Sequence, residues 1–208
     1  MARLPTGYVL MAAAALIVLQ ITVLHGFGQP WISVSGRILL WVGDPLSPET
    51  SQQLSDWYSF SHLIHGMIFF WLLRWLAPGL PLGARFLIAM GVEIAWEITE
   101  NTPAVIQHYR QQALAAGYVG DSILNSLCDT ATMSTGFWLS SRVRGAHIAA
   151  LAVALELFTA VMIRDNLSLN VINLVAPSGW PVIRLIHAWQ AGSPGTTSRP
   201  LSTRQHSG

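Results

Sequence analysis

The sequence predicts an all-α membrane protein, a polytopic bundle of about five transmembrane helices with interfacial helices beside them. Three observations predict it. Charged residues make up only 10% of the 208 positions and hydrophobic residues 52%, where a soluble domain carries about 25% charged residues. Mean hydropathy is +0.46. Apolar stretches long enough to cross about 30 Å of hydrocarbon recur along the chain, separated by proline, glycine and polar breaks. The same composition excludes other classes. A net charge of +1 gives no basic surface for nucleic acid, so no such partner is expected. The single cysteine, Cys128, excludes an internal disulfide framework and a cysteine-rich zinc site. Nine tryptophans suit anchoring at a membrane interface.

Taken in order, residues 8–24 form the first span, with Gln20 its main polar interruption. No small-residue cleavage site follows, so it reads as an uncleaved signal anchor. A long acidic loop comes next, in which residues 31–42 are expected to lie in the interface as a short amphipathic helix. Residues 60–76 form the second span, and residues 83–100 the third, which Asn101-Thr102-Pro103 ends. A polar loop containing Gln107, His108, Arg110, Gln111 and Gln112 leads to a fourth span, 118–140, and a fifth, 146–163. Two further apolar pieces, 167–175 and the amphipathic 180–189, are too short to cross alone. Residues 1–190 are thus expected to form one transmembrane domain, with 191–208 a disordered tail rich in Ser, Gly, Pro, Thr and Arg.

The arginines orient the bundle. With the N-terminus in the cytoplasm, Arg3, Arg74, Arg85, Arg142 and Arg144 fall inside. Arg37, Arg110 and Arg164 fall outside among Asp44, Glu49, Asp56 and Asp165. That is the positive-inside pattern, and it predicts five spans with the N-terminus inside and the C-terminus outside.

Against this apolar background the polar residues stand out. Glu93, Glu97 and Glu100 sit at i, i+4 and i+7, one helical face of the third span. Asp121, Asn125 and Asp129 repeat the pattern at i, i+4 and i+8 in the fourth. His62 and His65 open the second span, and Arg164, Asp165 and Asn166 follow the fifth. Given the alternating direction of the spans, all of these lie near the outer end. Five carboxylates cannot all remain charged together at low dielectric, so either several hold protons or a divalent metal neutralises them. The oxygen-rich set with an asparagine suits Ca²⁺ or Mg²⁺; the histidines admit Mn²⁺, with Zn²⁺ less suited. Plainer roles compete with this one. Asn125 could be a clasp between helices, Glu156 a packing or relay residue, and Cys128 a small buried hydrophobe.

The set His62-x-x-His65-Gly66, Glu93-x3-Glu97-x-x-Glu100-Asn101, Gly120-Asp121-Ser122-x-x-Asn125 and Arg164-Asp165-Asn166-Leu167-x-Leu169-Asn170 resembles an uncharacterised family of proteobacterial multi-pass inner-membrane proteins that carries only an unknown-function designation. The glutamate-bearing span followed by Asp121-x3-Asn125, with Gly136 below, is similar to the VanZ-like membrane proteins. Trp96-Glu97-Ile98-Thr99-Glu100, after a span with His62 and before Asp121, resembles the core of the base-exchange phosphatidylserine synthases. That resemblance implies Glu97, Glu100 and Asp121 as cation ligands and His62 or His65 as the base.

These readings converge on one leading expectation. The chain is a metal-dependent transferase or hydrolase of lipid head groups, working near the periplasmic face with membrane lipids as partners. His62 and His65 would be catalytic. Glu93, Glu97, Glu100, Asp121, Asn125 and Asp129 would hold the metal, and Arg164, Asp165 and Asn166 the substrate. A proton- or ion-coupled transporter and a non-catalytic assembly factor are the alternatives.

Overall fold

A computed structural model describes residues 4–111, 114–115, 117–176 and 180–192. Arg3, Gln112, Pro177 and residues 193–208, which make up nearly all of the expected tail, lie outside the described residues. Eight helices and no strand occur among them. They are α1 (Thr6–Gly26), α2 (Ser59–Leu76), α3 (Leu82–Glu100), α4 (Pro103–Tyr109), α5 (Ile123–Arg142), α6 (Gly145–Ile163), α7 (Leu167–Val175) and α8 (Pro181–Ala191). Two of them, α1 and α6, are long and apolar enough to cross a membrane, and α1 lies near the N-terminus.

Three expected elements are corrected. Residues 31–42 are not helical. Gly36 takes φ 71°, and Ser33 and Ser35 accept from the backbone N–H groups of Ser35 and Arg37 at 3.2 and 3.3 Å, drawing those groups out of any helix. The stretch pairs instead with the chain returning toward α2: Leu54 N donates to Leu39 O and Val42 N to Ser55 O, at 3.1 and 3.0 Å. The fourth long helix starts at Ile123, not residue 118, because Gly120 holds φ 96° and Ser122 caps the helix by accepting from Asn125 N. Asp121 therefore precedes α5, and its expected place on an i, i+4, i+8 stripe is wrong. The polar loop after α3 contains α4, opened by Pro103, whose fixed φ and missing N–H suit the first helical position.

The centre of the bundle is the pair α2 and α5, which pack most extensively. They run in the same direction: Ser59 meets Asp129 near their starts, and Phe70 meets Phe137 further along. α3 runs opposite to both. Between them lies an apolar layer built on Phe70, Phe86, Met90, Ile94, Met133 and Phe137. This layer fills the half of the bundle away from the polar residues.

Two glycines set how closely α2 and α5 approach. A Cβ added at Gly66 would lie 1.9 Å from Met133 O, and one added at Gly136 would lie 2.0 Å from Leu63 O. Backbone, not a movable side chain, blocks both positions. Gly66→Ala and Gly136→Ala should each cost roughly 3 kcal/mol or more, at or beyond the upper end of ordinary overpacking. Gly91→Ala is the control, because a Cβ added there would meet nothing within 4 Å. Melting temperature in detergent checks this: the first two variants should melt early and the third should not.

Candidate functional site

The site grows from helix ends that meet at one end of the bundle. His62 lies in the first turn of α2 and Glu97 in the last turn of α3, and the two helices are antiparallel. Glu93 is 0% exposed. Its Oε1 lies 2.6 Å from His62 Nδ1 and its Oε2 lies 3.0 Å from His65 Nδ1. An ionised carboxylate only accepts, so both Nδ1 atoms carry hydrogen. Glu93 thereby orients two imidazoles at once.

Glu97, 1% exposed, accepts from Ser126 Oγ at 2.6 Å through Oε2. Its Oε1 has no hydrogen-bond partner among the described residues and lies 3.3 Å from His62 Nδ1. Asp129 accepts from Ser59 Oγ at 3.1 Å, and its other oxygen lies 3.9 Å from His62 Nε2. Among the described residues, two sets could hold a metal ion. His62, Glu97 and Glu100 each offer an atom within 4.8 Å of the others, and so do His62, His65 and Glu93.

The remaining residues expected to bind metal are occupied otherwise. Asn101 Nδ2 donates to Asp121 Oδ2 at 2.6 Å, Asn101 Oδ1 accepts from Asp121 N at 2.7 Å, and Tyr118 OH donates to Asp121 Oδ1 at 3.0 Å. Asp121 thus ties the end of α3 to the start of α5. Asn125 Nδ2 donates to Gln53 O at 2.9 Å, holding the preceding loop. Asp56 anchors that loop by accepting from Ser51 N and Tyr58 N at 2.7 and 2.8 Å, and burial raises its pKa.

A cavity of about 610 Å³ opens over the cluster. His62, His65, Glu100, Asp121 and Asp129 line its polar end. Its walls are largely apolar, with Phe69, Val92 and Trp96 on one side and Leu167, Val171 and Leu174 of α7 on another. Tyr58, Tyr109 and Tyr118 also face it, and burial raises the pKa of Tyr58 and Tyr109, so both hydroxyls keep their protons.

Arg164, Asp165 and Asn166 do not line this cavity. Arg164, in the left-handed conformation that ends α6, donates to Trp189 O at 2.9 Å. Asn166 caps α7, accepting from Leu169 N at 2.9 Å. Asp165 accepts from Tyr58 OH at 3.3 Å and Gln190 Nε2 at 3.2 Å, joining α2's approach to α8. Glu156 accepts from Leu167 N and Ser168 N at 3.0 and 3.1 Å, which places the start of α7 against α6.

Sequence reasoning left several of these residues out. Ser126 and Ser59 give no signal, being two among many serines. Gln20 did give one, as the polar break in an otherwise apolar span. The cavity's α7 wall had none, since residues 167–175 read only as a short apolar piece.

The chain belongs to the family described as protein of unknown function (DUF2585), which matches residues 24–192. A UPF0314 protein of Sphingopyxis alaskensis is 49% identical over 187 residues, covering 90% of this chain and 96% of the relative. One of Rhizobium meliloti is 48% identical over 183 residues, covering 88% and 90%. One of Brucella anthropi is 39% identical over 178 residues, covering 86% and 88%. No solved structure matches. These matches carry the expected uncharacterised proteobacterial family; they do not carry the likeness to VanZ-like proteins.

Burial raises the Asp165 pKa from its ordinary 3.8 to about 7. The folded chain then holds this proton up to about pH 7, while the unfolded carboxyl releases it near 3.8. Between those values the folded state binds more protons, so this group's contribution to stability falls as pH rises and is level above about 7. Asp165→Asn should flatten that part of the profile. Thermal unfolding of both proteins from pH 4 to 8 measures it; parallel profiles would contradict the assignment.

Proposed function

We propose that this chain is a five-span protein of the bacterial inner membrane, N-terminus in the cytoplasm, that uses a divalent cation to act on the head group of a membrane lipid. The observation that carries the reading is an apolar-walled cavity ending on two imidazoles that a single buried glutamate orients. An amphiphile fits such a space, its tail against Phe69, Val92, Trp96 and α7 and its head at the polar end. His62, Glu97 and Glu100 would hold the cation, and Glu97 Oε1, buried without a hydrogen bond, supports that choice. Bound there, a divalent cation would draw charge from a phosphate oxygen and favour ionisation of an attacking hydroxyl.

The protein's own groups supply the rest. His62 is the more deeply buried imidazole, close to three carboxylates. His65 is more open, stacked on Phe69 with ring centroids 5.7 Å apart. We assign His65 Nε2 as the base that removes a proton from the incoming water or hydroxyl. Glu93 holds the hydrogen on its Nδ1 and stabilises the imidazolium that results. The metal role expected for Glu93 thereby becomes an orienting one, of the kind carboxylates play behind metal-bound or catalytic histidines. The apolar layer around Phe70, Phe86 and Phe137 weighs against the transporter alternative, which needs a polar route to the other side.

Five helices of 18 to 21 residues support the topology, because each is about 27 to 32 Å long. A reporter fused after Arg144 should read as cytoplasmic and one fused after Arg110 as periplasmic. Reversed readings would put the cluster at the cytoplasmic face.

The chemistry has its own test. Protein purified without chelator should carry a stoichiometric divalent metal, or gain melting temperature from added Mn²⁺, Mg²⁺ or Ca²⁺ by mass action. Glu97→Gln should remove that response. Lipid mass spectrometry of a deletion strain should show one head-group class altered. His65→Gln should restore it roughly 10² to 10⁴ times more slowly than the unaltered protein, with metal content intact. Full rescue by His65→Gln would leave the cluster a structural one.

A further inference from the structure

Gln20 is a polar side chain carried to 0% exposure by the otherwise apolar α1. Its Nε2 lies 3.1 Å from the Ser126 carbonyl oxygen, 2.8 Å from Ser126 Oγ and 3.0 Å from Thr130 Oγ1. A backbone carbonyl only accepts, so the amide must present its NH₂ end to Ser126, which fixes which way the amide points. Thr130 Oγ1 donates back to Gln20 Oε1 at 3.2 Å. Ser126 Oγ receives a hydrogen from Gln20, so its own single proton goes to Glu97 Oε2, 2.6 Å away.

The chain of donors therefore has one direction, from Gln20 through Ser126 to Glu97. It determines which oxygen of Glu97 is taken and which is free. Oε2 is held by Ser126, and Oε1 is left without a hydrogen bond, 3.3 Å from His62 Nδ1, whose hydrogen is committed to Glu93. A clasp between helices would need only the contacts of Gln20 with α5. Passing the polarity on to Glu97 is a separate consequence.

We propose that Gln20 is a positioning residue for the cluster: acting through Ser126, it holds Glu97 so that Oε1 is turned to His62 and kept available. The metal measurement below rests on the cation-binding reading of the same site; the infrared measurement does not. Gln20 belongs to the site although it lies in α1, outside the stretch that matches the family.

The test uses the full-length protein in detergent and two variants that cut the link at different points. Gln20→Leu removes the donor. Ser126→Ala leaves Gln20 its Ser126 carbonyl and Thr130 partners, so α1 stays clasped while Glu97 loses its hydrogen bond. Infrared difference spectra against Glu97→Gln identify the Glu97 carboxyl band, and Mn²⁺ titration gives the affinity. Both variants should shift that band and bind Mn²⁺ roughly 10- to 100-fold more weakly, the usual effect of losing a partner behind a metal ligand. Melting temperature in chelator should fall in Ser126→Ala by no more than the loss of one buried hydrogen bond brings. A Glu97 band unmoved in Ser126→Ala, or unmoved in a folded Gln20→Leu protein, would overturn the proposal and leave Gln20 a clasp. If the unaltered protein takes up no Mn²⁺, the cation reading fails and the band alone decides: shifted in both variants it upholds the positioning role, unmoved in either folded variant it ends it.

Discussion

Glu93 between His62 and His65 is the interaction on which the rest of the structure depends. A carboxylate with no exposure, seven residues from the end of a helix in an apolar bundle, costs several kcal/mol unless it is paired. Both of its oxygens are satisfied by imidazoles of one neighbouring helix. That requires α2 to stand close to α3 with the right face turned toward it. It also requires α5 to come in from the other side, since Asp129 and Ser59 complete the enclosure. The glycines at 66 and 136 permit the approach of α2 and α5, with Gly66 directly after His65. The polar cluster and the close approach of α2 to α5 are therefore parts of one local arrangement.

The stripe of glutamates on α3 was legible because a period of 3.6 residues puts positions 93, 97 and 100 on one face whatever surrounds them. The shared depth of histidines and carboxylates was legible for a similar reason, since helix direction alternates and rise per residue is fixed. What a stripe does not contain is a division of labour. Three glutamates alike in the sequence differ entirely in the fold: Glu93 bridges two imidazoles, Glu97 accepts from a serine, and Glu100 borders the cavity. Those differences come from α2 and α5, and no local pattern holds them.

The failures have equally particular causes. Asp121 shares a four-residue spacing with Asn125 and Asp129, but spacing means a common face only inside a helix. Gly120 and the Ser122 cap delay the helix until Ile123. Residues 31–42 have the apolar content of an interfacial helix, but serine side chains and Gly36 take the backbone elsewhere. Arg164, Asp165 and Asn166 carry three strong polar side chains, and each is used to fasten a neighbouring helix end. Polar residues at helix termini serve the backbone first, because orphaned N–H and C=O groups must be satisfied there.

Among the described residues two helices, α1 and α6, pass as spans by composition. α5 carries Ser126, Thr130, Thr132, Ser134, Thr135, Ser140 and Ser141, which depress its hydropathy. Yet Thr132, Ser134 and Thr135 donate to carbonyls one turn back, at 2.8, 2.9 and 3.0 Å. A hydroxyl bonded within its own helix presents little unmet polarity to lipid, so composition overstates the cost of placing such a helix in a bilayer. Ser126 and Thr130 point inward instead, to Gln20 and Glu97. Most of the residues that make α5 look too polar to span thus divide into those satisfied by their own helix and those that build the site; Ser140, whose buried hydroxyl has no partner among the described residues, belongs to neither group. The side chains of α5 that reach other helices are thereby gathered on its inner face.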